Sequence, residues 1–190
     1  MIDDSDIACL VFASGASVRF GGRKMLHPLK GGLPILATTI RIYRQVFRVV
    51  NVVVNDKDLT IIDLVESEGA VAILNPRSSQ GLSQSVVAGV ELTQPKRGWL
   101  CALGDMPYVW ESTVESVADR LSESNIVVPR TKNVNGNPVA IGSNFRAELL
   151  QLDGDIGAKP LINQNAQWVH YIDCNDPNIH RDIDRRTDLF

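Results

Sequence analysis

Leu10-Val11-Phe12-Ala13-Ser14-Gly15-Ala16-Ser17-Val18-Arg19-Phe20-Gly21-Gly22-Arg23-Lys24 is the stretch on which the fold of this chain turns. The apolar run from Ile7 to Ala13 predicts a buried strand, and it passes directly into small residues and glycines carrying Arg19, Arg23 and Lys24. Such a strand end suits a polyphosphate. The strand fixes the loop at the carboxyl edge of a sheet, glycines let backbone amides approach phosphate oxygens, and the cations offset their charge. Two other glycine loops fail the test of spacing. Phe20 stands where a Walker A loop needs its second glycine and Met25 follows Lys24, while Ser17 stands where the dinucleotide fingerprint needs a glycine.

Outward from this loop, strand and helix patterns alternate. Pro34 opens a helical run carrying Ile35, Leu36, Ile40, Tyr43 and Val46, and the β-branched segment Val49–Val54 reads as a second buried strand. A short helix over Leu59–Glu66, a strand over Ala70–Leu74 and a polar break from Asn75 to Gly81 follow. Gly81–Leu92 reads as a helix, Trp99–Leu103 as a fourth strand, Val114–Leu121 as a helix and Ile126–Val128 as a fifth strand. Asn135-Gly136-Asn137-Pro138 is a turn before a short apolar run, Val139–Ile141. Phe145–Leu152 is helical, Gly154–Lys159 is a second glycine-bearing loop, Leu161 and Ile162 form a brief helix, and Trp168–Ile172 is a last strand. This alternation predicts a mostly parallel sheet with helices on both faces, a three-layer α/β/α Rossmann-like fold whose ligands gather beyond the carboxyl ends of the strands.

The 190 residues suit one domain spanning 1–190, and a net charge of −3 leaves no basic surplus for a nucleic-acid backbone. A small-molecule substrate is the default. No apolar run approaches a membrane span and the acidic start MIDDSD lacks the order of a secretion signal, so the expected location is the cytoplasm. Cys9, Cys101 and Cys174 are scattered without metal or redox spacing, as are His27, His170 and His180, and none is assigned a role in chemistry.

Asp105 is the sharpest single residue. It follows an apolar strand and precedes Met106-Pro107, so its carboxylate should project from the strand end. The residues alone leave two readings open: a cap for the following turn, or a ligand for a hard divalent cation.

Taken together these segments resemble the MobA-like nucleotidyltransferases, of the nucleotide-diphospho-sugar transferase type of fold. Gly15, Ser17, Arg19, Phe20, Gly21 and Lys24 stand in register with that family's cationic loop, and Leu103-Gly104-Asp105-Met106-Pro107 matches its metal motif. The closing Asp182-Ile183-Asp184-Arg185-Arg186-Thr187-Asp188-Leu189 resembles its Asp-Ile-Asp tail, with Arg185 and Arg186 where Thr and Pro are usual. The resemblance implies that Arg19, Lys24 and Asp105 are catalytic and that Asp105 and Asp184 hold Mg2+, or Mn2+ in its place. It places base and ribose near Ala13, Ser14, Gly15, Asn75, Gly81, Ser83, Ser85 and Gly104. The segments around Asn137-Pro138 and Gly154-Asp155-Ile156-Gly157-Ala158-Lys159 are similar to the acceptor side of molybdenum cofactor cytidylyltransferases, with Asn137 for histidine and Lys159 for arginine.

The implied reaction moves CMP from CTP to the phosphate of a molybdopterin-type acceptor and releases pyrophosphate. A molybdenum hydroxylase or its maturation factor is the implied downstream partner. A guanylyl or sugar-phosphate nucleotidyltransferase, and a non-catalytic protein that carries finished cofactor to a hydroxylase, are the rival expectations.

Overall fold

Strand β1 (Ile7–Phe12) is buried along its whole length. Its alternate residues serve two different cores: Ile7, Cys9 and Val11 face one, Ala8, Leu10 and Phe12 the other. That division follows from the two-residue period of a strand and requires a helical layer on each face of the sheet. The computed structural model describes residues 1–15 and 17–189, and they bear this arrangement out. Helices α1 (Ile35–Val46), α2 (Leu59–Ser67) and α4 (Glu111–Asp119) cover one face. Helices α3 (Leu82–Leu92), α5 (Arg146–Leu149) and α6 (Lys159–Gln164) cover the other.

The remaining strands are β2 (Val50–Asn55), β3 (Val71–Asn75), β4 (Gly98–Leu103), β5 (Ile126–Thr131), β6 (Val134–Asn135), β7 (Val139–Gly142) and β8 (Val169–Asp173). They form one sheet in the order β3-β2-β1-β4-β7-β5-β6, with β8 on β5. Pairings β1–β2, β1–β4, β2–β3 and β5–β8 are parallel. Strand β7 is the departure from the alternation read in the sequence: it lies between β4 and β5 and runs antiparallel to both. Close backbone approach makes this insertion possible. A Cβ at Gly98, whose φ is +145°, would lie 2.2 Å from the Ile141 carbonyl oxygen.

Two helices depart most from their expected bounds. Helix α4 begins at Glu111 rather than Val114 because a residue distant in sequence caps it: the buried Asp176 carboxylate accepts from Trp110 N at 2.7 Å and Thr113 Oγ1 at 3.0 Å. The segment 145–152 holds only the four-residue α5, entered through a 3-10 turn over Ser143–Phe145. Among the described residues no helix is long and apolar enough to cross a membrane.

The carboxyl ends of β1, β2, β3 and β4 release residues 13–24, 55–58, 75–81 and 104–105 at a single edge of the sheet. Since Val139 pairs with Cys101 in antiparallel register, the cis Asn137-Pro138 turn that precedes β7 emerges at this edge too.

Candidate active site

The cationic loop is shaped by one apolar anchor. Phe20, in a 3-10 turn over Val18–Phe20, packs with Ile35 and Ile183, its ring edge-on to His27 at 5.2 Å. With Phe20 turned inward, Arg19 on the same turn stays in solvent, whereas Lys24 begins a second 3-10 turn and buries its side chain to 9% exposure. Lys24 Nζ donates to Asp105 Oδ2 at 2.6 Å and to Asp184 Oδ1 at 3.4 Å, and Arg19 Nη1 donates to Asp184 Oδ2 at 2.9 Å. Two cations from the first loop, the carboxylate at the end of β4 and a carboxylate from the tail therefore meet.

Backbone contacts hold the partners in place. Thr39 Oγ1 of α1 donates to the Gly104 carbonyl at 2.9 Å, and Ile183 N donates to the Asp105 carbonyl at 3.0 Å, which docks the tail on the end of β4. Asp188 Oδ2 accepts from Asp184 N at 3.0 Å and Arg185 N at 2.6 Å, folding the tail back on itself. Ile183→Ala is expected to cost about 2–4 kcal/mol, the usual range for emptying a buried aliphatic site, and to loosen Asp184. Thermal unfolding checks the first effect, and weaker protection of the Ile183 amide from hydrogen exchange checks the second.

The two carboxylates are electrostatically unequal. Burial pushes the Asp105 carboxyl above the ordinary carboxylate range; Lys24 counters this in part and neighbouring Asp182 adds to it. Burial also acts upward on Asp184, but hydrogen bonds and charge from Arg19 and Lys24 outweigh it and hold that carboxyl below its usual value. Asp184 therefore contributes stability that is lost as pH falls through its lowered pKa, whereas the destabilisation from Asp105 is full above its raised pKa, shrinks as pH falls below it and is gone only below the ordinary carboxylate range.

Asp105 Oδ1 is buried and has no hydrogen-bond partner among the described residues. An unsatisfied carboxylate oxygen beside a second carboxylate fits a hard divalent cation. Among the described residues no cluster of three or more His, Cys, Asp or Glu could hold one. Asp105 and Asp184 offer at most two side-chain anchors, a number that fits a hard divalent ion whose remaining ligands are phosphate and water.

A cleft of about 810 Å3 opens over this cluster, walled by Ser14 and Gly15, by Ser78–Leu82, by Gly154 and Asp155, and by Asp182. A smaller hollow of about 400 Å3 lies on the other side of the loop, lined by Ala13, Ser14, Gly15, Asn55 and Asp58 among others, where Arg23 pairs with Asp58. Asn75, Ser83 and Ser85 lie beneath the surface. Asn75 Nδ2 donates to Ser85 Oγ at 3.3 Å, Ser85 Oγ and Ser14 Oγ are 2.5 Å apart, and Ser83 Oγ donates to the Gly157 carbonyl at 3.3 Å. These three support the cleft, and its exposed polar surface here belongs to Ser14, Gly15 and Gly81. Gly104 N, likewise bound within the fold, donates to the Phe12 carbonyl at 2.9 Å.

The acceptor-side segments are only partly gathered. Asp155 Oδ1 accepts from Leu82 N at 3.0 Å and the Gly154 carbonyl from Ser83 N at 3.3 Å, so this loop docks on the first turn of α3. Asn137, the buried Pro138 and the exposed Lys159 are not among the residues lining the cleft. Asn137 N instead donates to the Ile179 carbonyl at 2.9 Å. Asp182 was not singled out from the sequence, although the alternation Asp182-Ile183-Asp184 would send both carboxylates away from a buried isoleucine.

A mostly parallel sheet with a cationic loop after β1 and a lysine-bound carboxylate after β4 is an arrangement suited to the phosphates of a nucleotide. The chain belongs to the MobA-like NTP transferase domain family, which matches residues 9–168, and it is a nucleotidyltransferase. It is 26% identical to the molybdenum cofactor cytidylyltransferase of Escherichia coli K12, over 97% of this chain and 94% of that protein. Among solved structures it is similar to a nucleotidyl transferase from Methanothermobacter (TM-score 0.82, 20% identity, 97% of this chain and 94% of that one). It is similar also to Rv0371C of Mycobacterium tuberculosis H37Rv in complex with manganese (TM-score 0.77, 22% identity, 96% and 95%).

Proposed function

We propose that this protein is a cytidylyltransferase that moves CMP from CTP to the terminal phosphate of a molybdopterin-type cofactor. One observation carries the reading: Lys24, Asp105 and Asp184 converge at the end of β4, in a cleft whose wall is the Ser14–Gly15 turn. The likeness to a molybdenum cofactor cytidylyltransferase along nearly the whole chain supports the choice of acceptor. The continuous sheet supports treating residues 1–190 as one transferase domain.

In this reading an acceptor phosphate oxygen attacks the α-phosphorus of CTP, the bond to the bridging oxygen breaks, and pyrophosphate leaves in line with the bond that forms. Arg19 and Lys24 bind the triphosphate and offset the charge that develops on it and on the departing pyrophosphate. Asp105 and Asp184 hold a divalent ion, Mg2+ or the Mn2+ seen with the mycobacterial relative. When bound, that ion polarises the phosphoryl oxygens and orients the attack. Ser14, Gly15 and Gly81 contact the nucleoside over the support of Ala13, Asn75, Ser83, Ser85 and Gly104. Gly154 and Asp155 face the acceptor, the buried Gly157 supports that loop through its bond from Ser83, and Asn137, Pro138 and Lys159 lie at the outer margin. A molybdenum hydroxylase or its maturation factor would receive the product.

The test is pyrophosphate release from each of the four nucleoside triphosphates, with a molybdopterin-type acceptor and Mg2+. CTP is expected to exceed GTP by at least about tenfold, a difference of roughly 1.4 kcal/mol in transition-state binding. Faster turnover of GTP would move the protein to the guanylyl branch. Tight binding of finished cofactor without pyrophosphate release would make it a carrier.

A further inference from the structure

Lys24 has two claims on it: it is a proposed triphosphate contact, and it is already the counter-ion of both carboxylates. Its ammonium lies 2.6 Å from Asp105 Oδ2 and 3.4 Å from Asp184 Oδ1. We propose that in the nucleotide-free protein Lys24 holds the place of the divalent ion between Asp105 and Asp184, so that the ion enters only as Lys24 is drawn away onto a triphosphate. This rests on the reading of those carboxylates as the ion's anchors.

The two occupants compete for one space rather than for one oxygen. Lys24 Nζ bonds Asp105 Oδ2 and leaves Oδ1 free, but it also reaches Asp184 Oδ1, so a Mg2+ ion about 2.0–2.1 Å from Asp105 Oδ1 and bound to Asp184 as well would lie within a few ångströms of the ammonium. Lys24 cannot simply withdraw either, since a cation nine-tenths buried needs an anionic partner. A triphosphate supplies one. The lining of the cleft points the same way: its acidic residues Asp105, Asp155, Asp182 and Asp184 outnumber its basic residues Arg19 and Lys24. A bare triphosphate is repelled there, and a bare metal ion meets two carboxylates whose charge Lys24 and Arg19 already match. Arriving together, the two exchange partners without leaving a charge unmatched. By linkage, each then raises the affinity of the other equally.

Mn2+ alone is the probe, with unbound ion followed by electron paramagnetic resonance and no nucleotide present. Lys24→Met and Lys24→Gln are expected to bind Mn2+ at least about tenfold more tightly than the wild type, because the internal competitor is gone. Adding Asp105→Asn to Lys24→Met should return binding to the weak level. The glutamine variant keeps a donor for the carboxylates and serves if the methionine variant loses its circular dichroism signature. If neither variant gains affinity, the exchange is refuted. A parallel titration with a non-hydrolysable CTP analogue separates this failure from a deeper one: if the wild type gains no Mn2+ site that Asp105→Asn abolishes, the ion-site reading itself falls.

Discussion

Asp105→Asn is expected to lower nucleotidyl transfer by about a thousandfold while leaving the protein folded, since removing a group that holds charge at the reacting centre costs on the order of 10²–10³ in rate. The substitution keeps shape and removes a charge that burial already disfavours. Lys24 retains Asp184 as its partner, so no cation is stranded. Single-turnover pyrophosphate release and a thermal melt on the same preparation give the two readings. Full activity in the variant would reduce Asp105 to a turn residue, the alternative that its sequence context leaves open. A melt that collapses along with activity would assign it to structure. In the wild type the upward displacement of Asp105 places the acid limb of kcat/KM above the pH at which an ordinary carboxylate protonates, because ion binding needs the ionised form.

Gly81→Val should unfold or severely weaken the protein, at a cost of more than about 4 kcal/mol, a loss reserved for a few identifiable mechanisms. Two of these coincide here. The backbone at Gly81 has φ +103°, a region that a β-branched residue occupies only under strain, and a Cβ would lie 2.6 Å from the Gly154 carbonyl oxygen and 2.9 Å from Asp155 Cα. Neither neighbour is a flexible side-chain tip that could turn aside. The loop carrying Asp155 would have to lift from α3, breaking the hydrogen bonds to Leu82 N and Ser83 N. Chemical denaturation measures the loss. Gly154, which has open space where a Cβ would stand, provides the comparison on the facing loop. Its φ of +78° still strains an alanine, so Gly154→Ala should cost only about 1 kcal/mol, the backbone penalty without the collision.

The two substitutions differ in how readily they can be foreseen. Asp105 stands out in the sequence because an apolar strand, a glycine and a proline bracket it. Gly81 reads there as a helix boundary and, through the resemblance, as a residue near the nucleoside; nothing marks it as a position that forbids a side chain, since the atoms that do so come from a loop more than seventy positions away in sequence. The same contrast runs through the fold. Strands β1 to β4 and the helices between them follow from apolar periodicity, because each buries a continuous run or a single stripe. The start of α4 does not, because its cap is Asp176. Nor does β7, whose short apolar run carries no mark of direction.

Local pattern was therefore enough to establish a layered α/β sheet, a cationic loop at its carboxyl edge and Asp105 at the end of a strand there, whereas Asp184 was reached only through the family resemblance. Hydrophobic period and turn chemistry act between near neighbours, and near neighbours are what a linear text records. Which charges meet was settled by folding at long range: Lys24 with Asp105 and Asp184, the tail docked through Ile183, and Ser83 and Ser85 turned into support rather than surface. Coulombic pairing and burial depend on distance in space, and that distance exists only once the sheet has brought the loops to one edge.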